Sequence, residues 1–207
     1  MSIGAPSFVR YTADGSKAER FERIARAVVE ILMVRQPDAV TISAVARRAG
    51  VSRPWIYKYF GSEVEALTTF TVEYFGTAFL ELDRELVEAA TVDEWMQRLV
   101  ARTDKALTDA ERAPWLLRLY MRHRHDPGAL GRSMRDLEDR HAERFVSEMP
   151  AALKQRKEAK AARQFTEIFS ATRNGFYFRW SDPAMREEYD RDALIRQLLA
   201  LAEQFVA

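Results

Sequence analysis

The stretch Thr41–Phe60, TISAVARRAGVSRPWIYKYF, decides the fold of this chain. It predicts two short helices, residues 42–49 and residues 53–60, because the Thr and the Ser that precede them are residue types that cap helix N-termini. Gly50 can take the positive φ that a sharp turn between the two helices requires. Two helices joined by so short a turn form a helix-turn-helix.

The second of these helices is expected to present a basic and aromatic surface. Val51 and Ile56 supply apolar contacts between the helices, and Ala46 is small where the helices pass close together. The side chains left on or near the outward face suit a groove of double-stranded DNA, and they are Arg53, Trp55, Tyr57, Lys58 and Tyr59.

Trp55 allows two interpretations. Its indole can belong to the core, or it can face a groove. Because Ile56 and Phe60 already occupy the apolar face of so short a helix, we expect Trp55 to face the groove.

This stretch resembles the N-terminal domain of the TetR family of bacterial transcriptional regulators. The family pattern is a Thr followed by I-A-x-x-A-G-V-S-x-x-x-[LI]-Y-x-[YH]-F. The chain matches it at Thr41, Val45-Ala46, Ala49-Gly50-Val51-Ser52, Ile56-Tyr57 and Tyr59-Phe60. The resemblance covers residues 16–75, and the rest of the chain matches the family only in length and helical content.

The resemblance implies a set of DNA-binding residues, with base or phosphate contacts from the second helix and phosphate contacts from Thr41 and Arg48. The predicted set is Thr41, Arg48, Ser52, Arg53, Pro54, Trp55, Tyr57, Lys58 and Tyr59. The chain departs from the family at Glu63, where the fourth helix usually begins with a phosphate-binding Lys.

Helical patterns continue along the whole chain. Glycine and proline number only eight and seven, and no segment alternates like a strand between hairpin turns. Helix starts are predicted at Ser16, Ser62, Thr91, Asp126-Pro127 and Asp182-Pro183. The predicted fold class is therefore all-α.

Three regions are predicted from these signals. Residues 1–15 form a flexible N-terminal arm, residues 16–62 form the helix-turn-helix DNA-binding domain, and residues 63–207 form a ligand-binding and dimerisation domain. Arg10 and Tyr11 of the arm can reach a minor groove, although a frayed terminus is the expected state.

Composition excludes several classes of protein. The chain has 207 residues, 47% of them hydrophobic, no cysteine and a net charge of +1. It can bury a real core, and it offers no disulfide scaffold or thiolate metal site. Since no signal-like segment opens the chain and Ala27–Val34 is too short to span a bilayer, we predict a cytoplasmic protein without a membrane partner.

The sequence predicts a homodimer on a palindromic DNA operator, because one helix-turn-helix reads too few base pairs to be selective. The apolar stripes of the last two helices are assigned to the dimer interface as a four-helix bundle, with Leu194, Leu198, Leu201 and Phe205 on the last helix. The family resemblance implies a cavity for a small effector. The residues proposed to line it are Trp95, Leu99, Trp115, Leu119, Phe169, Asn174 and Tyr177, although such aromatics can equally be core.

Other functions find less support in the residues. No nucleophile with a base, pair of converging carboxylates or metal cluster points to an all-α enzyme, and a helical interaction module leaves the basic helix unexplained. His123 and His125 project about 200° apart on a helix and converge poorly on one ion, so neither a metal nor a cofactor is predicted.

Overall fold

In a computed structural model, which describes residues 15–207, the chain folds into helices joined by turns. The helices are α1 (Gly15–Val34), α2 (Ile42–Ala49), α3 (Arg53–Phe60), α4 (Val64–Phe79), α5 (Val92–Arg112), α6 (Pro114–His123), α7 (Ala129–Ser147), α8 (Ala151–Arg156), α9 (Ala159–Trp180), α10 (Pro183–Arg186) and α11 (Arg191–Val206). No strand occurs within residues 15–207, and the all-α prediction is confirmed. None of the helices in this range is long and apolar enough to cross a membrane.

The predicted N-terminal arm falls outside the described residues, except for Gly15. That residue is the first of α1, so the helix begins before the capping position predicted at Ser16. Arg10 and Tyr11 lie in the part of the chain that is not described.

Helix packing divides the chain into two compact units. The first unit contains the described residues up to Leu80 together with Arg118–Leu137. The second contains Glu81–Leu117 and Glu138–Ala207. By packing, α4 therefore groups with the first unit, whereas the division into functional domains at 16–62 and 63–207 stays a proposal.

In the first unit, α1 packs against α2 and α4. The side chains of Ile24 and Val28, one turn apart on α1, are completely buried. The 3-10 turn Pro37–Ala39 separates α1 from α2. Proline cannot continue a helix because it has no backbone N–H to donate. Helix α1 therefore ends before Pro37, as the residue type alone indicates.

The start of α4 differs from the prediction. Glu63 occupies the N-cap position and no side chain caps the helix, while the hydroxyl of Ser62 donates to the Glu63 carboxylate at 3.2 Å. Ser62 is therefore not the capping residue. The helix ends at Phe79.

An aromatic and aliphatic cluster forms the core of the second unit. Its buried members are Ala89, Trp95, Leu99, Phe145, Met149, Leu153, Ala162, Phe169, Leu198 and Ala202. They come from α5, α7, α8, α9 and α11 and from the segment before α5. The side chains that form the apolar stripes of α5 and α9 therefore pack together in one continuous core.

The residues predicted for the dimer interface contact this core. Leu194 and Leu198 are 7% and 1% exposed within the single chain, and Leu201 packs against the core cluster. The ring of Phe205 stacks on Phe165 with the centroids 4.2 Å apart. Leu194 and Leu198 therefore belong to the chain's own core, whereas Leu201 and Phe205 are only partly buried. The assignment of this stripe to a dimer interface stays a prediction.

The predicted start of the last helix is also wrong. Asp182 caps only the short α10, through its carboxylate and the N–H of Ala184 at 3.1 Å. The last helix, α11, starts after Asp190, whose carboxylate accepts from the N–H of Asp192 at 3.0 Å. Both aspartates cap a helix N-terminus, but the helix that follows Asp182 has only a single turn.

Arg144 of α7 holds the connection between α4 and α5. Its guanidinium donates to the carbonyl oxygens of Arg84 at 2.7 Å and Glu85 at 2.9 Å. It also donates to the carboxylate of Glu148 at 2.8 Å. These bonds satisfy backbone acceptors of an irregular segment, which fixes its path across α7.

Candidate functional site

The helix-turn-helix has the geometry that its sequence predicts. The hydroxyl of Thr41 accepts from the N–H of Ala44 at 3.1 Å and caps α2, and the hydroxyl of Ser52 accepts from the N–H of Trp55 at 3.4 Å and caps α3. Gly50 has a φ of 63° and ends α2 in the left-handed conformation. Each signal acts within four residues, so the sequence alone specifies this turn.

The buried side of α3 anchors it to the first unit. Ile56 is completely buried. The ring of Phe60 packs against Phe21 of α1 and Phe70 of α4, with centroids 5.7 and 5.1 Å apart. This anchoring leaves the opposite side of α3 to solvent.

The exposed side of α3 carries basic and aromatic groups. Arg53, Pro54 and Lys58 are exposed, and the Tyr57 and Tyr59 side chains are 49% and 37% exposed. Arg53 and Tyr57 lie one helical turn apart, so they can follow the same groove. The surface unites positive charge with hydroxyl donors, as contacts to bases and phosphates require.

Trp55 takes a position between its two predicted alternatives. Its indole is half-buried and packs edge-on against Phe21 at 5.1 Å and beside Tyr59 at 4.4 Å between centroids. One side of the ring therefore contacts α1, while the rest stays accessible. That Trp55 reads a base remains a prediction.

The two capping hydroxyls keep a free donor. Thr41 and Ser52 are exposed, and each oxygen accepts the capping hydrogen bond, which leaves its own hydrogen to donate outward. Both hydroxyls lie at helix N-termini, where backbone dipoles favour a phosphate.

Arg48 has a partner within the chain. Its Nε forms an ion pair with the carboxylate of Glu30 on α1, and both side chains are substantially exposed. An exposed pair of this kind is weak, so the guanidinium can exchange its partner for a phosphate at low cost.

Two basic residues of α1 were not identified from the sequence. The ammonium of Lys17 lies 4.9 Å from the centre of the Tyr59 ring, and the guanidinium of Arg20 lies 5.9 Å from that of Trp55. Both enlarge the basic surface around α3. Their spacing with Phe21 on one face of α1 is the signal that could have revealed them.

A helix-turn-helix with a basic, aromatic second helix, joined to a larger all-helical unit, defines the class of DNA-binding transcriptional regulators. Residues 24–64 match the family model of bacterial regulatory proteins of the tetR family. The TetR resemblance predicted from the sequence is thus confirmed over these residues, which include α2 and α3.

Solved structures of TetR-family regulators share the fold of nearly the whole chain. A tetR-family transcriptional regulator from Streptomyces coelicolor aligns over 91% of this chain and 82% of its own, with 18% identity and a TM-score of 0.62. A TetR transcriptional regulator from Rhodococcus sp. RHA1 aligns over 92% of this chain and 97% of its own, with 12% identity and a TM-score of 0.54. No curated protein sequence matches the chain.

The residues predicted to line an effector pocket lie in several environments. Trp95, Leu99 and Phe169 belong to the core cluster of the second unit. Tyr177 is 2% exposed and Trp115 5% exposed, both in that unit, while the buried Leu119 belongs to the first unit. The structure thus brings part of the predicted set together around the second core.

His123 pairs with a carboxylate instead of converging with His125. Its Nδ1 lies 2.7 Å from the carboxylate of Asp126, and its ring is buried, whereas His125 is exposed. Among the described residues, no group of three or more metal-ligating side chains is placed to hold an ion.

Glu138 of α7 makes stability depend on pH. Burial, with a smaller contribution from Asp139, raises the pKa of Glu138 to about 7. Since folding favours the protonated form, its contribution is complete below the ordinary glutamate pKa and is lost as the pH rises through about 7. We expect Glu138→Gln to unfold at a higher urea concentration than wild type at pH 8.5. Its free energy of unfolding should be higher by about 1 kcal/mol after solvent screening, and at pH 5 the two proteins should differ little.

The matched control is Glu143→Gln, an exposed residue of the same helix. Urea unfolding of the control should follow wild type at both pH values. An equal response of the two variants would contradict the role given to Glu138.

Proposed function

We propose that the protein is a homodimeric repressor that binds a palindromic operator and leaves it when a small amphipathic or aromatic effector binds the second unit. The observation that carries this proposal is the exposed basic and aromatic side of α3 on a correctly capped helix-turn-helix. The aromatic core of the second unit supports an effector site, since amphipathic ligands are held by apolar walls with a few polar groups.

The outer side of α9, the first of the two helices predicted to form the interface, is the surface proposed for dimerisation. Ile168 is 61% exposed and Phe178 is 41% exposed. Ala171 and Gly175 lie exposed between them at helical spacing, and a Cβ added to Gly175 would meet no atom within 4 Å. Small residues between two large apolar ones let a second helix approach closely, and a second copy of α9 supplies the matching surface.

Regulation follows from linkage between the two sites. An effector that binds better to the conformation with misplaced recognition helices lowers operator affinity by a coupling free energy. The same coupling makes operator DNA weaken effector binding.

A mobility shift tests the proposal. The purified protein should retard DNA taken from upstream of its own coding region at lower protein concentration than it retards unrelated DNA of equal length. Equal retardation of both fragments would contradict a sequence-specific regulator.

The roles on α3 can be separated by substitution. Lys58 is proposed to contact phosphate, so Lys58→Ala should weaken binding to all sequences alike and reduce the salt slope by about one unit. Arg53 is proposed to read a base, so Arg53→Ala should cost roughly 1–3 kcal/mol and relax one position of the operator. Binding curves over a salt series with single-base operator variants measure both effects.

Arg35→Ala serves as the control, because this exposed arginine follows α1 and is not among the proposed DNA contacts. If Lys58→Ala changed the sequence preference while Arg53→Ala left it intact, the two roles would be reversed.

A further inference from the structure

A polar stripe interrupts the apolar inner side of α9. Ser170, Arg173, Asn174 and Tyr177 recur at helical spacing, so they lie on one side of the helix. Phe169, next to this stripe, belongs to the core of the second unit. A charged residue in such a place needs an explanation, because burying a charge is costly unless it is paired.

Arg173 lacks the partner that a buried guanidinium requires. Its Nε is buried and makes no hydrogen bond. Its Nη1 donates to Nε2 of His141 at 3.3 Å, and the guanidinium lies 5.6 Å from the centre of the Tyr177 ring. Among the side chains that the structure describes, no carboxylate comes within ion-pairing distance of Arg173.

Neighbouring arginines of the same unit are neutralised. Arg102 donates to Glu148 at 2.9 Å through Nη2 and also lies near Glu81. Arg144 donates to the same Glu148 at 2.8 Å. Arg102 and Arg144 are therefore each paired with a carboxylate. Of these three arginines, only Arg173 has no carboxylate partner.

The surroundings of His141 are positive and poorly hydrated. Burial, followed by the charges of Arg173, Arg102 and Arg144, holds the pKa of His141 well below its ordinary value. Since Nε2 accepts a hydrogen bond from Arg173, the proton of the neutral ring lies on Nδ1 and can be donated. His141 and Arg173 both retain some accessible surface, so a solute can reach them.

This polar site adjoins the aromatic core. The His141 ring lies 6.4 Å from Phe145, centroid to centroid. Phe145 in turn contacts Trp95 at 5.6 Å and Phe169 at 5.4 Å. An anion held by Arg173 and His141 would therefore lie next to the aromatic core, which favours a ligand with one charged end and an apolar body.

We propose that Arg173 and His141 bind the carboxylate of a small organic acid whose apolar body lies against the aromatic core formed by Trp95, Phe145 and Phe169. The planar fork of a guanidinium matches the two oxygens of a carboxylate, which makes a carboxylate the anion of choice. This inference rests on the effector-binding role proposed for the second unit and names the chemical class of the effector.

Calorimetry with matched probes tests the proposal. Phenylacetate, 3-phenylpropionate and octanoate are titrated into the full chain without DNA, beside phenylacetamide, 3-phenylpropanamide and octanamide. At least one acid should bind about tenfold or more tightly than its amide, because a charge-assisted pair is lost with the amide. Equal binding of acids and amides, or no binding by any of the acids, would overturn the proposal.

Two arginine variants of α9 locate the site. Arg173→Met should abolish the preference for acids and should leave the melting temperature of the free protein unchanged or raise it, since an unpaired buried charge is removed. Arg163→Met removes the same charge from an exposed position on the same helix, and its binding should equal that of wild type. A large loss of melting temperature in Arg173→Met, as a structural arginine would give, would overturn the assignment.

The experiments distinguish a failure of the proposed repressor function from a failure of the proposed effector class. Operator binding is measured by mobility shift in the absence of the acids. A chain that binds the acids through Arg173 but no operator would contradict the proposed repressor. A chain that binds its operator and ignores the acids would contradict only the class of effector.

Discussion

Replacing Leu198 by glutamate is expected to unfold the second unit. Leu198 is 1% exposed and lies in the same core cluster as Trp95 and Phe169. The new carboxylate would be buried among apolar side chains, and a buried charge without a partner is costly. The expected loss is about 4 kcal/mol or more, a large part of the stability of an ordinary domain.

Thermal unfolding followed by circular dichroism measures this effect. The control is Gln197→Glu, which places the same carboxylate on the neighbouring, exposed position of α11 and should melt like wild type. If the Leu198→Glu protein were well folded and only monomeric, Leu198 would lie in a dimer interface, as the sequence predicts, and not in the core.

Ile168→Glu is expected to separate subunits without unfolding them. The residue is 61% exposed on the outer side of α9, so a carboxylate there is hydrated in the monomer and buried only in the proposed dimer. Since two linked half-sites bind far more tightly than one, operator affinity should fall by about 100-fold or more. Sedimentation equilibrium and a mobility shift measure the two consequences.

The control for assembly is Gln97→Glu, an exposed position of α5. It should remain dimeric and bind the operator like wild type. A dimer of unchanged stability in Ile168→Glu would exclude the outer side of α9 as the interface.

The contrast between Leu198 and Ile168 shows where sequence patterns stop being informative. Both are large aliphatic residues on long helices near the C-terminus, and periodicity alone assigns an apolar face to each helix. It does not state which face meets the chain's own core. In α11 the apolar stripe meets Phe165 and the core cluster, whereas α9 leaves Ile168 and Phe178 exposed.

The polar site of the second unit illustrates the same limit. Asn174 and Tyr177 were predicted near a ligand because they lie among aromatics, but Arg173 and His141 were not. Thirty-two positions separate Arg173 from His141, and their contact depends on how α7 packs against α9. No spacing in the sequence indicates such a contact.

The sequence by itself determined the features that act over a few residues. The caps at Thr41 and Ser52, the left-handed Gly50 and the stop at Pro37 each depend on local backbone hydrogen bonds or on φ, so a few letters specify them. Tertiary structure alone decided the rest: the packing of Trp55 on Phe21, the inward side of α11 and the guanidinium without a carboxylate. These depend on which helices meet, and that is settled by burial summed over the whole chain.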